Sequence, residues 1–504
     1  MPVTTFTLPA TFTGTGGATI SNSVIYLPDI QASFPLINWL DIDRLYIPAG
    51  TYSYLRIGNL PNRNANDKLI ITNQGGQVKV GGAGHSYALS LSGGSNWVLT
   101  GRYDPLSQTG HLNFSGHRNG AFANSQGTYG ILVDDMFSNP NVSGVQIFGG
   151  ASRFELEYVE ITRVGFAGIL AKTDSTASAV MEFCKLHDLY IHDVGSEGLY
   201  IGSTQPQPQH QIRDWTIYNN RILRTGTEAL QLGQLGGVNH VHHNVLGPAA
   251  IDWRSAFQTS QDGNIQINMR EGHLLLENNI AIGSAGNHFL LFSNPVSGDA
   301  TDNNIGVTVR NNYFSDMRNL GMYVGSGAIT GMRFVFENNL WRAWSFERNQ
   351  VYSSAVAYDH LLRNFNSTTS ISFINNDWDS SLKLSNSLPL GNGTNGNVTG
   401  SANDNIAIDP INFVNAGLPD GFNFLRLEKW TASASLGGNV PVTYPLGMIV
   451  IYEGGPWKCK LSPCSAGLVP PTNPSVWDAL APFADDVRVV QGTAYSTLGL
   501  TPLP

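Results

Sequence analysis

Charge, cysteine and long apolar runs are all scarce in this chain. Only 13% of its 504 residues are charged, and 3 are cysteine. So few cysteines exclude a disulfide-built scaffold. Cys184 sits alone in an apolar stretch and reads as a small buried hydrophobe, whereas Cys459 and Cys464 bracket a short loop that one local disulfide would close. No stretch approaches the roughly 18 apolar residues of a membrane-crossing helix. The opening residues show neither the charged segment nor the apolar run of a signal peptide, so export implies a removed leader or another route. A net charge of −9 argues against a nucleic-acid partner, which normally demands a basic face. Lysine is missing throughout the segment between Lys185 and Lys383.

What the chain does contain is glycine, 55 residues of it, and a repeated phrase. Leu156–Ala171 reads LEYVEITRVGFAGILA, Leu186–Ile201 reads LHDLYIHDVGSEGLYI, and Ile217–Leu232 reads IYNNRILRTGTEALQL. Gly165, Gly195 and Gly226 align, as do Ile161, Ile191 and Ile222, and Ile169, Leu199 and Leu230. An asparagine phrase extends the pattern through Asn219-Asn220, Asn278-Asn279, Asn311-Asn312, Asn338-Asn339 and Asn375-Asn376. Self-similarity at this period, with short alternating strands and no helical stripe, predicts an all-β solenoid whose repeats bury their apolar faces against one another. Asn at one corner of every coil predicts an internal amide ladder at Asn220, Asn244, Asn279, Asn312, Asn339 and Asn376.

Residues 1–40, rich in Thr, Gly and Ser, read as a cap over the open end of the first coil. Coils are expected over 41–430, with long loops across the polar stretch 104–150. The phrase Leu45-Tyr46-Ile47-Pro48-Ala49-Gly50-Thr51-Tyr52 resembles the first turn of many right-handed parallel β-helix proteins, in the pectate-lyase-like superfamily. That resemblance implies a right-handed β-helix and a protein that processes or binds polysaccharides. Residues 441–504 break the repeat. Their Tyr444-Pro-Leu-Gly447-Met-Ile-Val450-Ile-Tyr452 run, with Trp457 and Trp477, resembles the small chitin-binding modules of carbohydrate-binding families five and twelve. It departs from them in the Gly454-Gly455-Pro456 insertion and the two-cysteine loop. The resemblance implies Tyr452, Trp457 and Trp477 as sugar-facing rings, since flat aromatics suit pyranose faces. They equally suit the core of a tiny domain.

For chemistry, the alignment places Glu197 and Glu228 at one position of successive coils, about 4.8 Å apart in a parallel stack. Stacked carboxylates raise one another's proton affinity and match the carboxyl pair of a retaining glycosidase. The same pair suits Ca²⁺, and it also suits two turn residues pointing apart. Asp193 and Asp262 lie nearby in sequence. Strand alternation puts Tyr200, Gln231 and Gln266 in one outward column, and Arg254 and Arg270 flank an irregular expansion. Together these residues outline a polysaccharide groove with the carboxylates as catalytic acids, or a tolerated solvent face. His240 and His242 share one strand face and can ligate a metal, although His243-Asn244 marks a turn.

Scarce lysine disfavours a lyase that uses lysine as its base. The leading expectation is therefore an exported polysaccharide-cleaving protein, a hydrolase before a lyase, that is secreted or at the cell surface. The other class is a non-catalytic adhesin, fibre subunit or spike-like glycan binder, which brings assembly into a homo-oligomer or filament.

Overall fold

A computed structural model describes residues 5–8, 11–13, 19–21, 25–26, 36, 38–82, 85–102, 129–176, 178–205, 209–252, 261, 263–284, 289–293, 305–317, 321–324, 332–342, 361–364, 369–382, 398–415, 427–434, 440–441, 443–465 and 467–500. The described residues form strands and turns, with two short 3-10 segments and no helix long and apolar enough to cross a membrane.

Each coil contributes one strand to each of three parallel stacks. In the first, Glu155–Glu157, Lys185–His187, Thr216–Tyr218, Val238–His242, His273–Glu277, Gly306–Arg310, Arg333–Glu337 and Ser370–Ile374 pair in that order. The second runs through Val159–Thr162, Tyr190–Val194, Arg221–Thr225, Val245–Leu246, Ile280–Ser284, Tyr313–Met317, Leu340–Arg342 and Asp377–Asp379. The third runs through Ser143–Phe148, Ile169–Ala171, Leu199–Ile201, Leu230–Gly236, Ile265–Met269, Phe289–Ser293, Met322–Val324 and Leu362–Asn364. Ile161, Ile191, Ile222, Ile169, Leu199 and Leu230 all point inward at 0% exposure, as the repeat predicts.

The corner between the first and second stacks is built by asparagine. Asn219, Asn278, Asn311, Asn338 and Asn375 take φ of 54–57°, the left-handed turn conformation that Asn tolerates. The next residue turns inward, and its amide joins a ladder. The Nδ2 of Asn220 donates to Asn244 Oδ1 at 3.0 Å, and the chain of amides continues through Asn279, Asn312, Asn339 and Asn376 to Asn403. At the corner between the second and third stacks, a Cβ on Gly195 would lie 2.3 Å from the Gly165 carbonyl oxygen, so only glycine allows the coils to stack there.

One reading of the sequence needs revision. The stretch 104–150 contains coil strands at Ile131–Asp134 and Ser143–Phe148, whose inward residues Ile131, Val133, Val145 and Ile147 are buried. Their alternation is too brief to stand out among polar neighbours. Thr5–Thr7, inside the expected cap, already pairs in parallel with Arg44–Tyr46.

Beyond the coils, Leu427–Lys429, Ile449–Tyr452, Gly455–Cys459 and Trp477–Ala479 form a small sheet, and Cys459 is bonded to Cys464. The chain then returns along the outside of the second stack. There Val487, Val489, Leu498 and Leu500 pack on Leu223, Val245, Ile280 and Tyr313.

Candidate functional site

Each stack has an outward face, and the three differ in what covers them. On the second stack, Glu160, Tyr190 and Arg221 occupy one outward column and are fully buried. Asp485, in the returning tail, accepts hydrogen bonds from Tyr190 and from Arg224, whose Nη1 lies 2.8 Å from Oδ1. Arg224 also grips both oxygens of Asp193, at 2.8 and 2.9 Å. Burial disfavours the Asp193 charge, but Arg224 and His192 more than offset this and hold its pKa at about 2. Asp193 is thus part of the seal between coil and tail.

On the third stack, Tyr200, Gln231 and Gln266 do form a register column. They are 6%, 3% and 8% exposed, so the column is covered. Tyr200 packs against Leu170 and Ala167, and the Lys172 ammonium lies 4.9 Å from its ring centre. Glu197 and Glu228 are equivalent by register, since Gly168 N donates to Glu197 O and Gly198 N to Glu228 O. Both are buried, at 3% and 0% exposure. Burial raises the Glu197 pKa, with Ser196 and Lys172 acting against it. Arg270 is buried and donates to Gln209 O at 2.9 Å. Asp262 and Arg254 lie outside the described residues.

The first stack leaves its outward face partly open, and titratable groups collect there. Glu155 and Glu157 flank inward Leu156 on one strand, so both point out. His187 is the register partner of Glu157 on the next rung. One ligand atom from each of Glu155, Glu157 and His187 lies within 4.8 Å of the other two. His187 donates from Nδ1 to Asp188 Oδ2 at 2.6 Å and from Nε2 to Glu155 Oε1 at 2.8 Å. Lys68 Nζ reaches Glu155 Oε2 at 3.0 Å.

These contacts drive the two carboxyls apart in acidity. The His187 hydrogen bond, aided by Lys68 against the cost of burial, lowers the Glu155 pKa to about 2. Burial raises that of Glu157; His187 and Thr100 act against it, and the charges of Glu155 and Asp188 add to it. Burial lowers the proton affinity of His187, but Asp188 and Glu155 outweigh it and bring the pKa to about 9. At neutral pH the cluster therefore holds an ionised Glu155, a charged His187 and a Glu157 that keeps its proton more readily than an ordinary glutamate.

Flat rings continue the same column. The Tyr218 ring stacks on His187 at 4.5 Å and His242 on Tyr218 at 5.1 Å. Burial, with His240 and His243 adding, lowers the His242 pKa to about 4, so this ring is neutral at pH 7. His240 and His242 do share a strand face, and His243 takes the left-handed corner. His240 Nε2 and Arg310 Nε both bond Glu277, at 2.8 and 2.7 Å.

The strand register and the coil winding can be compared with known proteins. A family model described as "right handed beta helix region" matches residues 143–377. The fold is a right-handed parallel β-helix. Solved structures similar to this β-helix include pectate lyase Pel9A, at 12% identity and TM-score 0.42, covering 68% of this chain and 72% of that one. The GH136 lacto-N-biosidase of Eubacterium ramulus matches at 10% identity and TM-score 0.44, covering 72% and 62%. The enzymatically active domain of tailspike protein 2 of bacteriophage CBA120 matches at 10% identity and TM-score 0.36, covering 66% and 42%. No curated protein sequence matches the chain.

In the C-terminal sheet of the β-helix protein, Trp477 is 1% exposed and donates to Leu468 O, which makes it core. Trp457 is partly buried against the same cluster. Tyr452 sits at the hairpin tip and meets Trp430 edge to face, at 5.4 Å and 80°. The Glu157–His187–Tyr218 column was present in the repeat alignment as the residue after each inward Leu156, Leu186 and Ile217. Its signal was chemical variety at a position of fixed parity, which periodicity does not score.

Proposed function

We propose that the chain is an exported carbohydrate-active protein that cleaves a glycan along the outward face of the first stack. The observation that carries this reading is the pair Glu155 and Glu157, partly open, close together, and pushed to opposite sides of ordinary carboxylate acidity. Glu157 serves as general acid and Glu155 as nucleophile. Glu157 passes its proton to the glycosidic oxygen as the bond from that oxygen to C1 breaks, and a Glu155 oxygen bonds C1. Water then attacks C1, gives its proton to Glu157 and releases Glu155. A spacing this short leaves no room to seat a water between the carboxyls, which favours retention of configuration. The stack of His187, Tyr218 and His242 offers neighbouring sugars flat apolar faces. Export rests on the Cys459–Cys464 bond, since such bonds persist in oxidising compartments.

A second reading has its own support. Both Glu155 oxygens are occupied, one by His187 and one by Lys68, as suits a rigid surface that binds glycan without cutting it. An adhesin, fibre or spike would use the same face. The two carboxylates of the cluster also offer hard oxygen ligands of the kind that hold Ca²⁺.

The test is a screen of plant, algal and microbial glycans, following new reducing ends and the ultraviolet absorbance of an unsaturated product. Glu157→Gln is expected to lower turnover by about 100-fold or more with binding retained. Glu197→Gln and Glu228→Gln are the comparison. Loss of turnover in those two, with Glu157→Gln active, would move the acid pair to the turn before the third stack. Cleavage of nothing by the wild type would leave the binder, and activity abolished by a chelator would point to the metal.

A further inference from the structure

A cavity of about 360 Å³ lies away from the first stack, between the turn joining the second and third stacks and the C-terminal sheet. Its lining comes from distant parts of the chain: Phe137, the Asp193–Gly195 turn, Arg224, Ile251, Lys429–Thr431 and Ile451–Gly454. The Trp430 and Tyr452 rings meet in it nearly at right angles, 80° between planes, and so form two adjoining walls. Phe137, held at φ 53°, lies opposite on the coil side, with Lys429 6.0 Å from its ring centre.

The cations around the cavity are already paired, and the remaining lining charge is the Glu453 carboxylate. Lys429 Nζ lies 2.8 Å from Asp252 Oδ2, and Arg224 is shared between Asp193 and Asp485. A cavity whose cations are neutralised by its own carboxylates offers little to an anionic ligand. One with aromatic walls and a polar rim suits a body that is apolar on its faces and hydroxylated at its edges. We infer that this cavity binds a neutral pyranose unit, in a composite site completed only when the C-terminal sheet is docked on the coils.

The inference rests on the reading of the chain as one that handles glycans, and it assigns the C-terminal aromatics a different part in that task. Tyr452 works here with Trp430 and the coil turn, not as a free platform on an independent module. A sugar held at this point keeps a polymer on the molecule, which raises its local concentration at the first-stack face.

The test uses the intact chain. Titration calorimetry with cellohexaose, with the β-1,4-linked hexamer of N-acetylglucosamine and with an oligogalacturonate of equal length reads the ligand class. Saturable binding of at least one neutral hexamer is expected, with the uronate weaker by about tenfold or more. Trp430→Ala and Tyr452→Ala should each weaken that binding at least about tenfold, while Lys458→Ala, exposed on the same sheet and outside the cavity lining, should not. Thermal unfolding of each variant shows whether it folds, and Tyr452, at a hairpin tip, serves if Trp430→Ala does not. Binding lost in Tyr218→Ala but kept in Trp430→Ala and Tyr452→Ala would overturn the inference and assign the sugar to the first stack. Preference for the uronate, or no binding by the wild type, would also overturn it. Neutral-sugar binding at Trp430 in a chain that cleaves no glycan would uphold it while the cleavage reading falls.

Discussion

The Nε2 of His187 donates to Glu155 Oε1 at 2.8 Å across neighbouring rungs, and each residue shifts the other's proton affinity. Glu155 falls from 4.5 to about 2, so its contribution to stability is present above pH 4.5 and is lost as pH falls through about 2. His187 rises from 6.5 to about 9, so its contribution is complete below pH 6.5 and is lost as pH rises through about 9. The contribution of this pair, read as the difference in urea midpoint between wild type and His187→Gln, should therefore be greatest between pH 4.5 and 6.5. In His187→Gln the alkaline decline should flatten. An alkaline slope identical to that of wild type would remove His187 as its source.

The same substitution should move the pH profile of any glycan cleavage. The His187 charge lowers the pKa of both Glu155 and Glu157, so its removal lets both rise. The acid limb, set by ionisation of Glu155, and the alkaline limb, set by loss of the Glu157 proton, should both shift to higher pH. Initial rates across pH for wild type and His187→Gln measure this. Limbs that stay fixed would count against both assignments.

Arg224 is the bolt between coil and tail, bonded to Asp193 on one side and Asp485 on the other. Arg224→Met removes the guanidinium shared by two buried carboxylates, leaving only His192 beside Asp193, and should cost about 3–5 kcal/mol. Limited proteolysis should then cut within the segment 479–500, where wild type should resist. Asp485→Asn keeps the hydrogen-bonding shape and should lose less. A tail equally resistant in Arg224→Met would show that the apolar contacts of Val487, Val489 and Leu498 suffice.

The asparagine ladder should behave as a set of buried, satisfied amides. Asn279 is 1% exposed; it donates to Asn312 Oδ1 and to Val241 O, and accepts from Asn244. Asn279→Ala strands the partners on both rungs and should cost about 1–3 kcal/mol. Asn278→Ala, at the left-handed corner one residue before Asn279, tests the turn instead of the amide. Equal losses from the two would deny the ladder its own role.

The β-helix was legible in the sequence because its physics is local and repeated. Ile191 must meet Ile161 and Ile222, Gly195 must clear Gly165, and Asn279 must bridge Asn244 and Asn312, so each constraint recurs once per coil. Strand parity likewise placed Tyr200, Gln231 and Gln266 in one outward column. Parity says which side chains leave the core, but not what lies over them. Asp485 closes over Tyr190 from 295 positions along the chain. Tyr200 is covered by Leu170 and Ala167 and lies under Lys172. On the first stack Glu155 and Glu157 keep partial access, and there His187 and Lys68 set their acidity. Burial and neighbouring charge decide which carboxylates are available for chemistry, and both come from contacts between segments that no repeat relates. The order of the coils was therefore written in the sequence, and the choice among their faces was made by the chain folding back on itself.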